Sequence, residues 1–339
     1  MSIAMAYITV ILVWTTTPLG VTWSSETIHP TLAALVRMAM AAVLGWCLLR
    51  AMGKSLSWSK PAIKKYLHAD IGIALAMYAT YQAAGLIPSG LISVVYGLAP
   101  IMSALFAQLI LKDAMPLYRW IASIISLAGL IMIFKVDVSL AEDTAKGLGL
   151  LFLAVTLFSL SGVLIKQSDH RNGHLEQTVG ALIMSVPIYL VILLIELAVM
   201  VFDSSASDVI NQTVSGIDSV SNRSVLAILY LAIMGSLVGF ISYFYILSAL
   251  KPSTVALVTL ITPVLALMLG IIFNNEVVES HVWVGTAVIL LGLVLFNWGE
   301  RLVSLVFLSM SPLKISNVLQ KRGEVKDGVV KQPEIVSSE

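Results

Sequence analysis

Tyr78, Tyr81 and Gln82 fall at i, i+3 and i+4 in an otherwise apolar segment, and Gly85 completes the face at i+7. That spacing puts them on one side of a helix. The same kind of stripe recurs elsewhere. Trp14, Thr17 and Pro18 share a face, as do Ser93, Tyr96, Gly97 and Pro100. Ser242 and Tyr245 repeat it with Ala249, and Ala256, Thr259 and Pro263 repeat it again. A polar group facing lipid is costly, so such stripes are expected to face the interior of a helix bundle. Hydroxyls, an amide and aromatic faces in an apolar wall are the means of holding a small organic molecule. They are not an apparatus for breaking bonds.

The sequence has no HExxH, no GxSxG and no pair of aspartates within an apolar run, and "SLSG" at 159–162 resembles a serine-hydrolase motif only superficially. It has no P-loop, so no ATP hydrolysis of its own is expected. Cys47 is the only cysteine, which excludes an intrachain disulfide, a four-cysteine metal site and a dithiol centre. His68 and the "DHRNGH" stretch at 169–174 read as solvated loop residues. No metal and no cofactor is expected, and an intramembrane enzyme is the less favoured alternative.

Arg37 is the most informative charge. It lies seven residues into the run that opens at Pro30, roughly 10 Å from its end at 1.5 Å per residue. A charge at mid-bilayer costs on the order of 2.5–3.5 kcal/mol unless it snorkels or is paired. Glu196 lies at a similar depth near the same surface, so an Arg37–Glu196 ion pair with a structural or gating role is expected.

These residues sit in a chain of 339 residues that is 58% hydrophobic and 12% charged, the composition of a membrane protein. About 20 apolar residues span a bilayer as a helix. Ten such runs are read, at 3–23, 30–52, 69–86, 90–111, 117–135, 147–166, 175–202, 225–249, 253–273 and 281–298. The first is not a convincing signal peptide, because it lacks a basic start and a clear cleavage site. With the N-terminus in the cytoplasm, sixteen lysines and arginines fall on the cytoplasmic side. Lys135, Lys146 and Arg223 fall on the other, and Arg37 lies inside a span. That bias places both termini in the cytoplasm.

"PSGLISVVYGLAP" (88–100) and "PSTVALVTLITP" (252–263) share a layout: Pro-Ser, an apolar stretch and a mid-span proline. Asp113 then matches Glu276, Trp120 matches Trp283, and Gly129 matches Gly292, while Tyr81 matches Tyr245. Ten spans divide as five plus five, and an odd number per copy inverts the second copy, a layout typical of secondary transporters. The first repeat is read as 1–135 and the second as 136–299, with a polar external loop at 203–224. Residues 300–339 form a cytoplasmic tail, interfacial and then disordered. Pro18, Pro100 and Pro263 are read as hinges, since proline removes a backbone donor and frees the carbonyl four residues earlier. "GSLVG" (235–239), Ala122/Gly129 and Gly285/Gly292 are read as close-packing positions bracing the scaffold or a subunit contact.

The paired segments 85–134 and 249–298, each with Pro-Ser entry, mid-span proline, acidic residue and following tryptophan, resemble the EamA-type domains of the drug/metabolite transporter superfamily. Trp14 and the Pro30–Arg37 segment agree, and aspartate at position 113 departs from the usual glutamate. The resemblance implies an all-α carrier of ten transmembrane helices in two inverted five-helix repeats, set in a bacterial inner membrane. It implies export of amino acids, amines or related metabolites by alternating access, with a metabolite exchanger as the alternative. The expected partners are a small solute and the lipid bilayer, with no nucleic acid. Proton coupling and a homodimer stay open. Pro100→Ala and Tyr81→Phe are expected to lower transport more than folding.

Overall fold

A computed structural model describes residues 2–112, 114–133, 141–168, 173–203, 220–250 and 252–310. All the regular structure among them is helical. The chain forms two compact units, Met1–Asn297 and Trp298–Glu339. Asp113, most of the 203–224 loop and the tail beyond Met310 lie outside the described residues.

The helices are α1 (Ile3–Ser24), α2 (Pro30–Ala51), α3 (Lys60–Asp70), α4 (Ala76–Ala84), α5 (Ser89–Tyr96), α6 (Ala99–Phe106) and α7 (Leu117–Ile133). They continue as α8 (Ala141–Gln167), α9 (His174–Asp203), α10 (Asn222–Tyr230), α11 (Gly239–Ala249), α12 (Pro252–Asn274) and α13 (Ser280–Met310). Local chemistry sets several boundaries. The Ser2 hydroxyl caps α1 by accepting from the Met5 amide at 3.2 Å. Pro30 opens α2 at a position where its missing N–H costs nothing.

Three π-helical stretches interrupt the described helices, at Ile71–Leu75, Ala107–Leu111 and Leu231–Val238. The first and third fall at matching places ahead of Tyr81 and Tyr245. Lys112 and Asn275 both adopt left-handed backbone (φ 59° and 51°), each one residue before the acidic position of its segment.

Seven described helical segments are long and apolar enough to cross a membrane: Ile3–Ser24, Pro30–Ala51, Ser89–Leu111, Glu142–Gln167, His174–Phe202, Asn222–Ile246 and Ser280–Glu300. Leu117–Ile133 and Val258–Asn274 are apolar but shorter. The expected span at 69–86 lies in the run 60–84, which the first π stretch divides and which carries Lys64, Lys65 and Asp70 in its first half. Large apolar side chains such as Leu12, Val43, Ile124, Leu194 and Ile272 are exposed on outer faces, as lipid-facing helices require.

The core lies where α1, α2, α4, α5, α8, α9 and α12 meet. Glycine permits two close crossings. A Cβ on Gly90 of α5 would lie 2.6 Å from the Leu267 Cα of α12, and one on Gly129 of α7 would lie 2.7 Å from the Gly285 carbonyl of α13. The second crossing joins two of the glycines read from the sequence as packing positions. Gly235 serves differently, because a Cβ there would lie 3.1 Å from the Arg37 guanidinium. It makes room for a side chain and not for a second backbone.

Candidate functional site: an aromatic cavity with basic groups

A cavity of about 910 Å³ lies within the first unit, a size that suits a small organic molecule. The mid-span interruption of the fourth expected span shapes one wall. α5 stops at Tyr96, the Gly97 amide is shared between the Ser93 and Val94 carbonyls, the Leu98 amide bonds three residues back to Val95, and α6 restarts at Ala99 just before Pro100. Proline at 100 cannot continue the α5 hydrogen-bond ladder, and the break turns Ser93, Tyr96, Gly97 and Pro100 toward the cavity. Pro263 stays within continuous α12, with its ring 3.7 Å from the place a Gly97 Cβ would occupy.

Of the residues read from the sequence, Trp14, Thr17, Pro18, Arg37, Ser93, Tyr96, Pro100 and Thr259 line the cavity. Aromatic walls complete it. Trp14 packs on Tyr243 at 4.8 Å between centroids, and Tyr96 packs edge-on to Phe158 at 5.7 Å. Three hydroxyls have their protons committed. Thr17 Oγ1 donates to the Val13 carbonyl at 2.6 Å. Thr80 Oγ1 donates to the Ala76 carbonyl at 2.8 Å, so the Tyr96 hydroxyl donates to Thr80 at 2.9 Å. Both Thr17 and Tyr96 are left as acceptors toward a guest.

The charges at the cavity are of one sign. Arg37, Lys65, Arg119, Lys166 and His174 line it, and no aspartate or glutamate does among the described residues. Lys65 lies outside the spans, and partial burial lowers its ammonium pKa from the ordinary value. Arg37 is deeper and only 1% exposed, so just an edge of its guanidinium reaches the cavity. Its Nε donates to the Ser236 hydroxyl at 2.9 Å, and Nη1 lies 4.0 Å from the Met77 sulfur.

The expected Arg37–Glu196 pair does not form. No carboxylate lies within 4.0 Å of Arg37 among the described residues. Glu196 is instead held by other polar residues of α4 and α2. Its Oε1 accepts from Thr31 and Tyr78 at 2.9 Å and from Gln82 at 3.2 Å, and His29 lies 4.0 Å from Oε2. Tyr78 and Gln82 thus serve this carboxylate and do not line the cavity. Tyr81 is wholly buried in the core, and its hydroxyl receives a 3.4 Å hydrogen bond from the Ser24 hydroxyl. Ser242 is buried without a hydrogen-bond partner among the described residues. Tyr245 stands edge-on to His174 with ring centroids 6.3 Å apart.

That placement reverses one expectation. Tyr81→Phe removes a single long hydrogen bond worth about 0.5 kcal/mol and touches no cavity wall. Solute uptake by the variant is expected to stay within about twofold of the parent, since 0.5 kcal/mol is close to that factor. A larger loss in an uptake assay would return Tyr81 to the site.

At the C-terminal end of α1 a second polar cluster ties three elements together. Trp23 Nε1 of α1 donates to Asn274 Oδ1 of α12 at 2.9 Å, and Asn274 Nδ2 donates to Glu276 Oε1 at 2.8 Å. Glu276 also accepts from the first amides of α5, Ser89 at 3.0 Å and Gly90 at 3.5 Å. Near it, Arg223 pairs with Glu26 and stacks over Trp23. The cavity's basic groups belong to other helices, Arg37 to α2, Lys65 to α3, Arg119 to α7, Lys166 to α8 and His174 to α9.

The sequence matches the EamA-like transporter family over residues 1–135 and 145–298. The chain belongs to that family. It is 24% identical over 295 residues to the uncharacterized inner membrane transporter YedA of Escherichia coli K12, covering 86% of this chain and 89% of YedA. A shorter stretch of 86 residues is 38% identical to the WAT1-related protein At3g02690, chloroplastic, of Arabidopsis thaliana, covering 25% of this chain and 20% of that one. A crystal structure of a protein 16% identical in sequence superposes with TM-score 0.59, covering 89% of this chain and 98% of the other. That likeness speaks to the fold. Family and relatives make this an integral membrane protein and a transporter, and they point away from an enzyme.

Proposed function

We propose that the protein is a secondary carrier of small amphiphilic metabolites that bear a carboxylate, amino acids foremost, working by alternating access. The observation that carries the substrate class is Arg37, a buried guanidinium at the cavity wall with no carboxylate partner among the described residues. A guest carboxylate would supply the missing acceptor. The Thr17 and Tyr96 oxygens would accept from a guest ammonium, and Trp14, Phe158 and Tyr243 would pack its apolar part. A simple amine would meet five basic groups and no acid.

Ten spans in two inverted repeats, 1–135 and 136–299, fit this reading. The π stretches in the third and eighth spans and the left-handed residues before the two acidic positions support the repeat. The break at Pro100 is the proposed hinge, with Pro18 and Pro263 as the facing proline positions. With both termini cytoplasmic, the basic mouth opens to the cytoplasm, where an exporter loads. An exchanger of two carboxylates would use the same site.

The test is uptake and counterflow in proteoliposomes with three compounds sharing one ring: phenylalanine, phenylacetate and phenethylamine. Saturable movement of the first two, with the amine excluded, is the expected result. Preference for the amine would overturn the substrate class. Flux that never saturates would make the protein a channel.

A further inference from the structure

Asp70 ends α3 at the point where the backbone enters the π stretch Ile71–Leu75. Its side chain is 2% exposed, and neither carboxylate oxygen has a hydrogen-bond partner among the described residues. Taking an unpaired carboxylate out of water costs several kcal/mol, which a carboxyl avoids by keeping its proton.

None of the surrounding titratable groups hydrogen-bonds to Asp70 among the described residues. On α3, the His68 ring lies 3.2 Å from both the Leu164 carbonyl and Ser168 Oγ, Lys65 lines the cavity, and Tyr66 is buried one turn back with its hydroxyl also unpartnered among the described residues. On α9, Glu176 pairs with Lys54 at 3.0 Å, His174 lines the cavity, and the Tyr189 hydroxyl donates to the Ala74 carbonyl at 2.9 Å. On α8, Lys166 lines the cavity, and on α2 Arg37 is held by Ser236. None supplies Asp70 with a counter-charge.

The residue lies one layer behind the cavity wall. A Cβ on Gly72 would sit 2.9 Å from Ser161 of α8, whose hydroxyl donates to the His68 carbonyl at 2.7 Å. Phe158, which would also lie 3.5 Å from a Gly72 Cβ, lines the cavity with its neighbour Gly162, as does Met77 farther along the third span. The π stretch beside Asp70 is a local irregularity of the kind at which helices bend and functional sites gather.

We propose that Asp70 is a proton-binding site of the third span. It is neutral in the conformation described, and it gives up its proton when the α3–α8 contact parts and water reaches it. Every cycle then carries one proton through a group the solute never touches. The coupling rests on the carrier reading above, whereas the protonation of Asp70 does not.

Two measurements separate these claims. Infrared spectroscopy of the membrane-embedded protein at neutral pH is expected to show a protonated-carboxyl stretch that Asp70→Asn removes. The hydrophobic reagent dicyclohexylcarbodiimide is expected to add whole to the parent chain at Asp70, its carbodiimide taking up the acid's O–H. Absence of both signals means an ionised Asp70 and overturns the proposal. In proteoliposomes, an imposed pH gradient is expected to accelerate phenylalanine uptake by the parent. In Asp70→Asn that acceleration is expected to vanish, with phenylalanine exchange at equal pH retained. Acceleration that survives in Asp70→Asn would overturn the coupling. A parent that moves no phenylalanine in either mode would overturn the coupling as tested, and the spectra would still decide the proton site.

Discussion

Arg37→Leu is expected to lower phenylalanine and phenylacetate uptake by about tenfold to a hundredfold, without loss of folded protein. A hydrogen bond to a charged group is worth about 1.5–3 kcal/mol, and each 1.4 kcal/mol is a factor of ten. The folded state is spared because the residue is a buried charge without a counter-charge among the described residues, held by one good hydrogen bond to Ser236. Replacing such a charge by an apolar side chain of similar bulk is often neutral or stabilising. Arg37→Lys keeps the charge and loses the two-pronged donor, so it should fall between the parent and the leucine variant. Uptake of the three ring compounds, read beside thermal melting of the purified variants, separates the two roles. A purely structural arginine would show a lower melting temperature and a uniform drop for every compound. Unchanged phenylalanine uptake in Arg37→Leu would remove the guanidinium from the site.

The depth of Arg37 was legible in the sequence because depth is a matter of counting residues from the end of an apolar run. Its partner was not, because the direction of a side chain around a helix depends on what the neighbouring helix leaves open. Gly235 leaves the space and Ser236 the acceptor, and Thr31, Tyr78 and Gln82 hold one oxygen of Glu196 elsewhere. A similar ambiguity misplaces Tyr81. The 3.6-residue stripe marks one face of α4, yet Ala76, Ala79, Thr80, Ala83 and Ala84 are buried as well, so the interior of the bundle is not a single direction. Thr80, from the same helix, reaches the cavity instead.

Phe158, Tyr243 and Phe244 line the cavity too, and among apolar neighbours an aromatic ring carries no signal that tells a cavity wall from a core. Lys65, Lys166 and His174 read as ordinary loop charges. Their shared signal was the lysine-rich side, with Lys166 and His174 at helix ends and Lys65 within α3. The prolines were more legible. Pro100 accompanies a break in its helix, while Pro263 sits in an unbroken one, which shows that a missing donor permits a break without imposing it.

Glu276→Ala is expected to loosen the helix ends gathered at the C-terminal end of α1. The carboxylate accepts from the Ser89 and Gly90 amides at the start of α5 and from Asn274, which in turn holds Trp23 of α1. Loss of a side-chain cap costs about 0.5–2 kcal/mol, and the charge facing a helix N-terminus adds about 0.3–1 kcal/mol. If these contacts exist only while that end is closed, their loss shifts the balance toward the open form by about five- to thirtyfold, the factor that 1–2 kcal/mol commands. Gly270 marks how closely the site is built, since a Cβ there would collide with the Glu276 carboxylate. Ser24 is a suitable reporter, being wholly buried at the end of α1 beside this cluster. In a Cys47→Ala background, a cysteine introduced by Ser24→Cys should react with a polar maleimide about five- to thirtyfold faster once Glu276 is alanine. Glu276→Gln keeps one acceptor oxygen for the Ser89 amide and should react at an intermediate rate. A variant that melts earlier but labels at the parental rate would mean that Glu276 holds helix ends together in every conformation, and the seal would have to be sought in the Glu196 cluster.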